Sequence, residues 1–348
     1  MKISSTAGRG KTGFRVRIWL CLLVFILLVL LIVFSTSPVP GSLLIRSLFD
    51  RKPQEPPQKL IYTEQVLASK DVQYGNPEGM CLDLYVPQYA ENRCPLIVWV
   101  HGGAFVGGDK RDVTFFAEAL AFNGYAVAVL NYSRAPESGY PVPVLQLGDA
   151  YNFLTSGTYI YKDQLDMQQV FFAGDSAGAH IAAQFILIQT NPEYRAAFLQ
   201  KNHPSAFPEP IPGPVLKGAL LYCGPYSVQR FNESSNVLLQ FLVRQTSWAY
   251  FGERKISSSP AAGEIDIIQN ITQDFPPTFI TDGNTLSFAE HAKDLLAKLD
   301  ELEVPAQSLF FDETPDKVPH EYQFELQSEA AQSALEQTLD FLRIHTQP

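Results

Sequence analysis

The segment Gly174-Asp175-Ser176-Ala177-Gly178 stands directly behind the strand-like run Val170-Phe171-Phe172-Ala173 and ahead of an apolar, helix-favouring stretch from Ala179 to Ile188. A strand that feeds a helix through so short a turn forces strained backbone at its apex. The flanking glycines leave room for neighbouring chain to approach. A G-x-S-x-G pattern alone arises by chance in loops. The strand before it and the helix after it make this one a nucleophile elbow, with Ser176 as the candidate nucleophile.

Strand and helix signals alternate on both sides of the elbow. Early strands are expected at residues 65–74 and 80–86, paired antiparallel at a sheet edge. Pro95-Leu96-Ile97-Val98-Trp99-Val100 is continuously apolar, as a strand covered on both faces would be. Further strands fit residues 125–130, 216–222, 278–281 and 307–311, with helices over 113–122, 144–154, 287–302 and 329–344. This pattern predicts an α/β fold, a mostly parallel sheet with helices on both faces. Residues 191–214 and 225–275 interrupt the alternation and are expected to form lid-like insertions over a crevice at the carboxyl ends of the strands. Within them Val237 to Tyr250 suits either a pocket lining or a peripheral helix. No repeat with a period of 20–50 residues is visible, which argues against a solenoid or propeller.

The N-terminus follows another logic. Lys2, Arg9, Lys11, Arg15 and Arg17 precede an apolar run from Ile18 to Phe34, and no further charge appears until Arg46. The run is long enough to span a bilayer and apolar on every face, unlike a buried core helix. An uncleaved signal anchor is favoured over a cleaved signal peptide, because the best cleavage site, Ser35-Thr36-Ser37, is followed by Pro38. The positive-inside rule puts residues 1–17 in the cytoplasm. The span is then 18–40, a stalk with three prolines follows at 41–58, and the folded domain at 59–348 lies outside the cytoplasm. That means the endoplasmic reticulum lumen for a eukaryotic source, or secretion if the segment is cleaved. With the five leading bases set aside, 36 acids face 21 bases, so nothing supports nucleic-acid binding.

Of four cysteines, Cys81 and Cys94 flank a strand connection and would pair only in an oxidising compartment. Partly buried thiols are the plainer expectation. No C-x-x-C or His/Cys cluster suggests a metal. Sequons stand at Asn131, Asn232 and Asn270, with Asn131 expected to be buried at a strand end.

A serine nucleophile needs a base, an orienting acid and donors for an oxyanion. Among the six histidines, His180 lies one helical turn past Ser176 and cannot swing back. His203, His291 and His345 read as surface residues. His320 follows the last strand in a loop and completes the chain order serine, acid, histidine. Asp282, directly after the strand 278–281, is the expected acid. Glu290 competes, but Ser287-Phe288-Ala289-Glu290 matches a capping box. Gly102 and Gly103, after the strand ending at Val100, are the expected oxyanion donors together with the N–H of Ala177.

His101-Gly102-Gly103-Ala104-Phe105, Asn131-Tyr132-Ser133-Arg134-Ala135-Pro136-Glu137, the elbow and His320 together resemble the α/β-hydrolase superfamily. Within it they are similar to the hormone-sensitive-lipase-like carboxylesterases, over roughly residues 60–345. The resemblance implies hydrolysis of carboxylic esters through an acyl-enzyme, without a cofactor, on a small-molecule ester. It departs at Ala104, where a third glycine is usual. It departs again at the acid, whose usual position falls on Leu286, so that Asp282 would serve from an earlier one. Small-acyl esters, including acetyl esters, at the outer membrane face are the expected substrates. A non-catalytic hydrolase-fold binding or adhesion protein and a serine peptidase are the alternatives. Neither the substrate nor the oligomeric state can be read from the chain.

Overall fold

The computed structural model describes residues 9–49, 53–76, 79–232 and 237–346. Lys2 and the rest of residues 1–8, residues 50–52 of the expected stalk, and the end of the Asn232 sequon lie outside the described residues.

In chain order the elements are α1 (Arg9–Thr36), α2 (Val39–Phe49), α3 (Lys59–Gln65), β1 (Val66–Gln73), β2 (Cys81–Pro87), β3 (Cys94–Val100), α4 (Thr114–Phe122), β4 (Ala126–Leu130) and α5 (Val142–Ser156). Then come β5 (Leu165–Asp175), α6 (Ala177–Thr190), α7 (Pro192–Asn202), β6 (Leu216–Tyr222), α8 (Val237–Phe251), α9 (Ala262–Ile265) and α10 (Ile267–Asn270). The chain closes with β7 (Thr278–Thr281), α11 (Ala289–Glu301), β8 (Ala306–Leu309) and α12 (Glu329–Thr346).

The eight strands form one sheet in the order β1-β2-β4-β3-β5-β6-β7-β8. β1–β2 and β2–β4 pair antiparallel and every other pair is parallel. The pleat sorts each central strand between two cores. Val98, Val100 and Phe172 pack with Ile181 and Phe185 of α6. Ile97, Trp99, Phe171 and Ala173 pack with Phe116 of α4 and Phe341 of α12. Burial on both faces explains why these strands read as unbroken apolar runs.

The two insertions are partly helical, the first where no helix was expected and the second over the stretch 237–250 that suited a peripheral helix. Asn191 caps α7, its side chain accepting from Tyr194 N at 3.0 Å, with Pro192 in the first turn. Residues 225–275 hold α8, α9 and α10. The stretch expected as a stalk also differs from an extended spacer. Within it α2 packs on the domain and buries Ile45 in the main core, because a helix with an apolar side finds more to bury than an extended chain does. Helix α1 contains one 23-residue stretch, Phe14–Thr36, long and apolar enough to cross a membrane.

Candidate active site

Three loops meet at the carboxyl edge of the parallel strands. Registers Val100↔Gly174 and Tyr222↔Thr281 bring the ends of β3, β5, β6 and β7 level, so residues far apart in sequence face one crevice.

At the elbow, Ser176 adopts φ 50° and ψ −120°, a strained conformation for a residue with a side chain. Two contacts hold it. A Cβ at Gly174 would lie 2.4 Å from the carbonyl carbon of Gly178, and one at Gly178 would lie 2.0 Å from Val100 O. Both positions therefore require glycine, since real Cβ contacts do not approach so closely. Ser176 N–H donates to Tyr222 O at 2.8 Å, which locks the apex to β6.

His320 brings Nε2 to 2.9 Å from Ser176 Oγ. Its Nδ1 faces Asp282 Oδ1 at 3.6 Å. Asp282 is fully buried, its Oδ1 accepting from Gly283 N at 2.8 Å and its Oδ2 from Phe288 N at 2.7 Å. Burial alone would push the His320 imidazole down. The Asp282 carboxylate, with Glu321 adding to it, outweighs burial and leaves the ring above its ordinary value.

The other histidines separate cleanly from this pair. His180 Nδ1 bonds Pro225 O at 2.7 Å, and burial lowers the ring to about 4. His101 Nδ1 bonds Gly102 O at 2.6 Å, its ring stacks on Tyr132 at 4.5 Å, and burial lowers it to about 4 as well. His291, expected at the surface, is instead buried and accepts from Tyr226 N and Ser227 N at 3.2 and 3.1 Å.

The glycine loop corrects one expectation. Gly102 N–H cannot serve an oxyanion, because it donates to Asp175 Oδ2 at 2.7 Å. The buried Asp175 carboxyl also accepts from Trp99 Nε1 at 2.7 Å, so it ties the elbow to both β3 and the loop. Burial first, then Glu321, push the Asp175 carboxyl well above the usual range. Among the described residues, the N–H groups of Gly103, Ala104 and Ala177 have no acceptor. Gly103 and Ala104 sit at φ 112° and 53°, the left-handed turn that can aim consecutive N–H groups at one point. Ala104, which keeps a free backbone N–H where the resemblance has a third glycine, is thus a better-placed candidate donor than Gly102. Nothing in the motif says which glycine the preceding acid will occupy.

The expected capping box at Ser287–Glu290 does not form. Helix α11 begins after Phe288 without a side-chain cap, the Phe288 N–H goes to Asp282, and Glu290 pairs with Lys293 at 3.0 Å on the surface. With Phe288 at the N-cap, Ser287 stands one residue outside the helix and cannot form the box. Leu286 points outward, 55% exposed at φ 52°.

Beside His320, separated from it by the Phe288 ring at 5.4 Å, lies a cavity of about 370 Å³. Phe231, Leu239, Val243, Phe288, His291 and Lys293 line it. Leu239 and Val243 come from α8, which both lines a cavity and packs on the domain through Tyr250, stacked on Phe105 at 4.2 Å.

Cys223, Asp282 and His320 place donor atoms within 4.8 Å of one another. They suit a metal poorly: both Asp282 oxygens already accept backbone N–H groups, and burial pushes the Cys223 thiol far up, away from thiolate. Cys81 and Cys94 are free thiols. Asn131 is committed through its side chain, accepting from Lys110 N at 2.7 Å and donating to Asp109 Oδ2 at 3.0 Å.

Comparison with known proteins agrees with this architecture. A kynurenine formamidase of Danio rerio is 26% identical over 210 residues, 59% of this chain and 64% of that protein. A probable isoprenylcysteine alpha-carbonyl methylesterase ICME of Oryza sativa subsp. japonica is 34% identical over 134 residues, 38% of this chain and 31% of the relative. The chain therefore spans less than two thirds of the length of these curated relatives. Among solved structures, esterase B of Lactobacillus rhamnosis superposes with a TM-score of 0.65 at 20% identity, covering 80% of this chain and 86% of its own. The thermophilic carboxylesterase EstE1, from a metagenomic library, gives 0.63 at 16% identity over 90% and 99%. These likenesses establish the α/β-hydrolase fold. The BD-FAE family matches residues 82–298, more than half of the chain, from β2 to within α11, and the chain belongs to that family.

Proposed function

We propose that this chain is a serine carboxylic-ester hydrolase with Ser176 as nucleophile, His320 as general base and Asp282 as the orienting acid. The observation that carries the reading is the 2.9 Å approach of His320 Nε2 to Ser176 Oγ on a strained elbow. His320 takes the Ser176 proton as Oγ attacks the ester carbonyl, and Asp282 holds the ring with Nδ1 protonated. The tetrahedral oxyanion is received by the N–H groups of Gly103, Ala104 and Ala177. His320 then protonates the leaving alcohol, and water repeats the cycle on the acyl-enzyme. The relatives named as an esterase, a methylesterase and carboxylesterases support ester chemistry.

Short acyl groups fit best, because Ala104 puts a methyl where the hormone-sensitive-lipase-like pattern has glycine. A second reading has one specific support: two fish kynurenine formamidases align over 59% and 60% of this chain, against 38% for the rice methylesterase. The same machinery attacks a formamide carbonyl, with His320 protonating an amine instead of an alcohol. We further assign α1 as the membrane anchor, with residues 1–17 cytoplasmic, 18–40 spanning and the domain from 59 onward outside.

A fluorophosphonate probe tests the whole reading. Folded wild-type protein should form a Ser176 adduct that the Ser176→Ala variant cannot form. Absence of the adduct would sink the hydrolase reading and favour a binding protein. Turnover of acetyl to long-chain esters beside an N-formyl arylamine then separates the two carbonyl classes.

A further inference from the structure

Only Ser37 and Pro38 separate the end of α1 from the start of α2. The three Cα steps from Thr36 to Val39 reach at most about 11 Å, so α2 begins close to wherever α1 leaves a bilayer. Helix α2 is apolar on two sides. One side is fastened to the domain. It buries Ile45, and Arg46 donates through Nε to Val106 O at 2.6 Å and through Nη2 to Ala135 O at 2.8 Å. On the other side Val39, Leu43, Leu44 and Leu48 are 42–50% exposed along the full length of the helix. One exposed leucine means nothing. Four on an eleven-residue helix beside a membrane span form an interfacial face.

A second contact lies at the same level. Arg254 of the domain donates to Ser35 O at the end of α1, and its guanidinium covers the Trp248 ring at 4.0 Å. Tryptophan and arginine at the end of a span are what the headgroup layer favours.

Helix α2 also backs the candidate site. Val106 and Gly107, which α2 touches, belong to the loop that carries Gly103 and Ala104. Helix α8 joins the same layer, with Gln245 against Gly41 of α2 and Tyr250 on Phe105. One helix thickness, about 10–12 Å, separates the exposed leucines from the oxyanion loop. We propose that α2 lies in the interfacial layer of the bilayer with Val39, Leu43, Leu44 and Leu48 in lipid, and that it presents the crevice to ester-bearing amphiphiles resident in the membrane. This rests on the serine-hydrolase and membrane-span readings above.

The test uses the full chain in phosphatidylcholine vesicles, with Cys21→Ser and Leu44→Cys carrying a bimane label. Doxyl-lipid should quench the label more strongly than aqueous iodide. Preferential iodide quenching on vesicle-bound protein overturns the inference while leaving the span intact, whereas release of the protein by alkaline carbonate breaks the span and the inference together. In parallel, the Leu44→Glu, Leu48→Glu double variant should keep hydrolysis of soluble p-nitrophenyl acetate within about twofold. It should lose about tenfold on the acetate ester of a long-chain alcohol embedded in vesicles. Equal losses on both substrates, or none on either, overturn the substrate assignment. A wild type that turns over neither ester sinks the hydrolase reading itself, with the label still reporting where α2 lies.

Discussion

The elbow after β5 and the acid loop after β7 end neighbouring regions of one sheet but are held by different forces. The elbow is fixed by exclusion: glycines at 174 and 178 stand where any side chain would collide with backbone, one of them against Val100 O. The acid loop shares one such glycine, Gly283, where a Cβ would lie 2.4 Å from Val318 O, but its carboxylate is placed by attraction, two backbone N–H groups converging on Asp282. Exclusion leaves a mark in the sequence, because only glycine satisfies it. Attraction leaves almost none, because any residue supplies an N–H. The two halves of one site are therefore unequally visible.

The comparison can be broken most sharply at the elbow. Ser176→Ala is expected to lower kcat on p-nitrophenyl acetate by about a million-fold, measured against protein quantified by folded-state circular dichroism. A loss of only tenfold would remove Ser176 from the chemistry. On the acid side, Asp282→Asn should cost about 10,000-fold and Glu290→Gln no more than about twofold. The opposite order would move the acid to α11. Between the two regions, Gly102→Ala puts a methyl 2.4 Å from Asp175 Oδ2 and 2.5 Å from Glu321 Oε1. It should displace the donor loop and lose about 100-fold in kcat/KM, with thermal unfolding checking that the fold survives.

The pH profile sharpens the link between acid and base. His320 must be neutral to act, and its pKa lies above the ordinary value of about 6.5. The logarithm of kcat/KM should rise with pH through an inflection above that value, and the residual activity of Asp282→Asn should show it lower. Stability runs the other way. The raised His320 pKa contributes stability that is present in full below about pH 6.5 and lost as pH climbs through the folded value. The smallest effect is expected at Leu286→Gly. It relieves a left-handed residue at a cost in chain entropy, for a net gain of about 0.5 kcal/mol in urea unfolding.

Much of the sheet was legible because period and apolarity report burial directly. Strands 216–222 and 278–281 fall on the residues expected, and β3 reads as buried on both faces. Ser176 and His320 were legible from local pattern and chain order, and the structure brings them within hydrogen-bonding distance. What could not be read depends on pairings between distant residues. Gly102 looked like a donor until Asp175, 73 positions away, took its N–H. The capping box failed because the helix starts one residue later, with Phe288 and not Ser287 at its N-cap. His291 looked like the polar face of an amphipathic helix, yet it anchors the backbone at Tyr226 and Ser227. The helical character of α2 was hidden because residues 41–58 were judged by the prolines at their far end.

The 144 positions that separate Ser176 from His320 also set a clock. On the proposed reading, a chain delivered N-terminus first emerges with its nucleophile well before its base, because β6, β7 and β8 lie between them in sequence. Until then Ser176 is an ordinary alcohol. On that reading, a nascent or truncated chain that stops before residue 320 lacks its base and is harmless to the esters around it, so that hydrolysis reports that the chain has been made past β8.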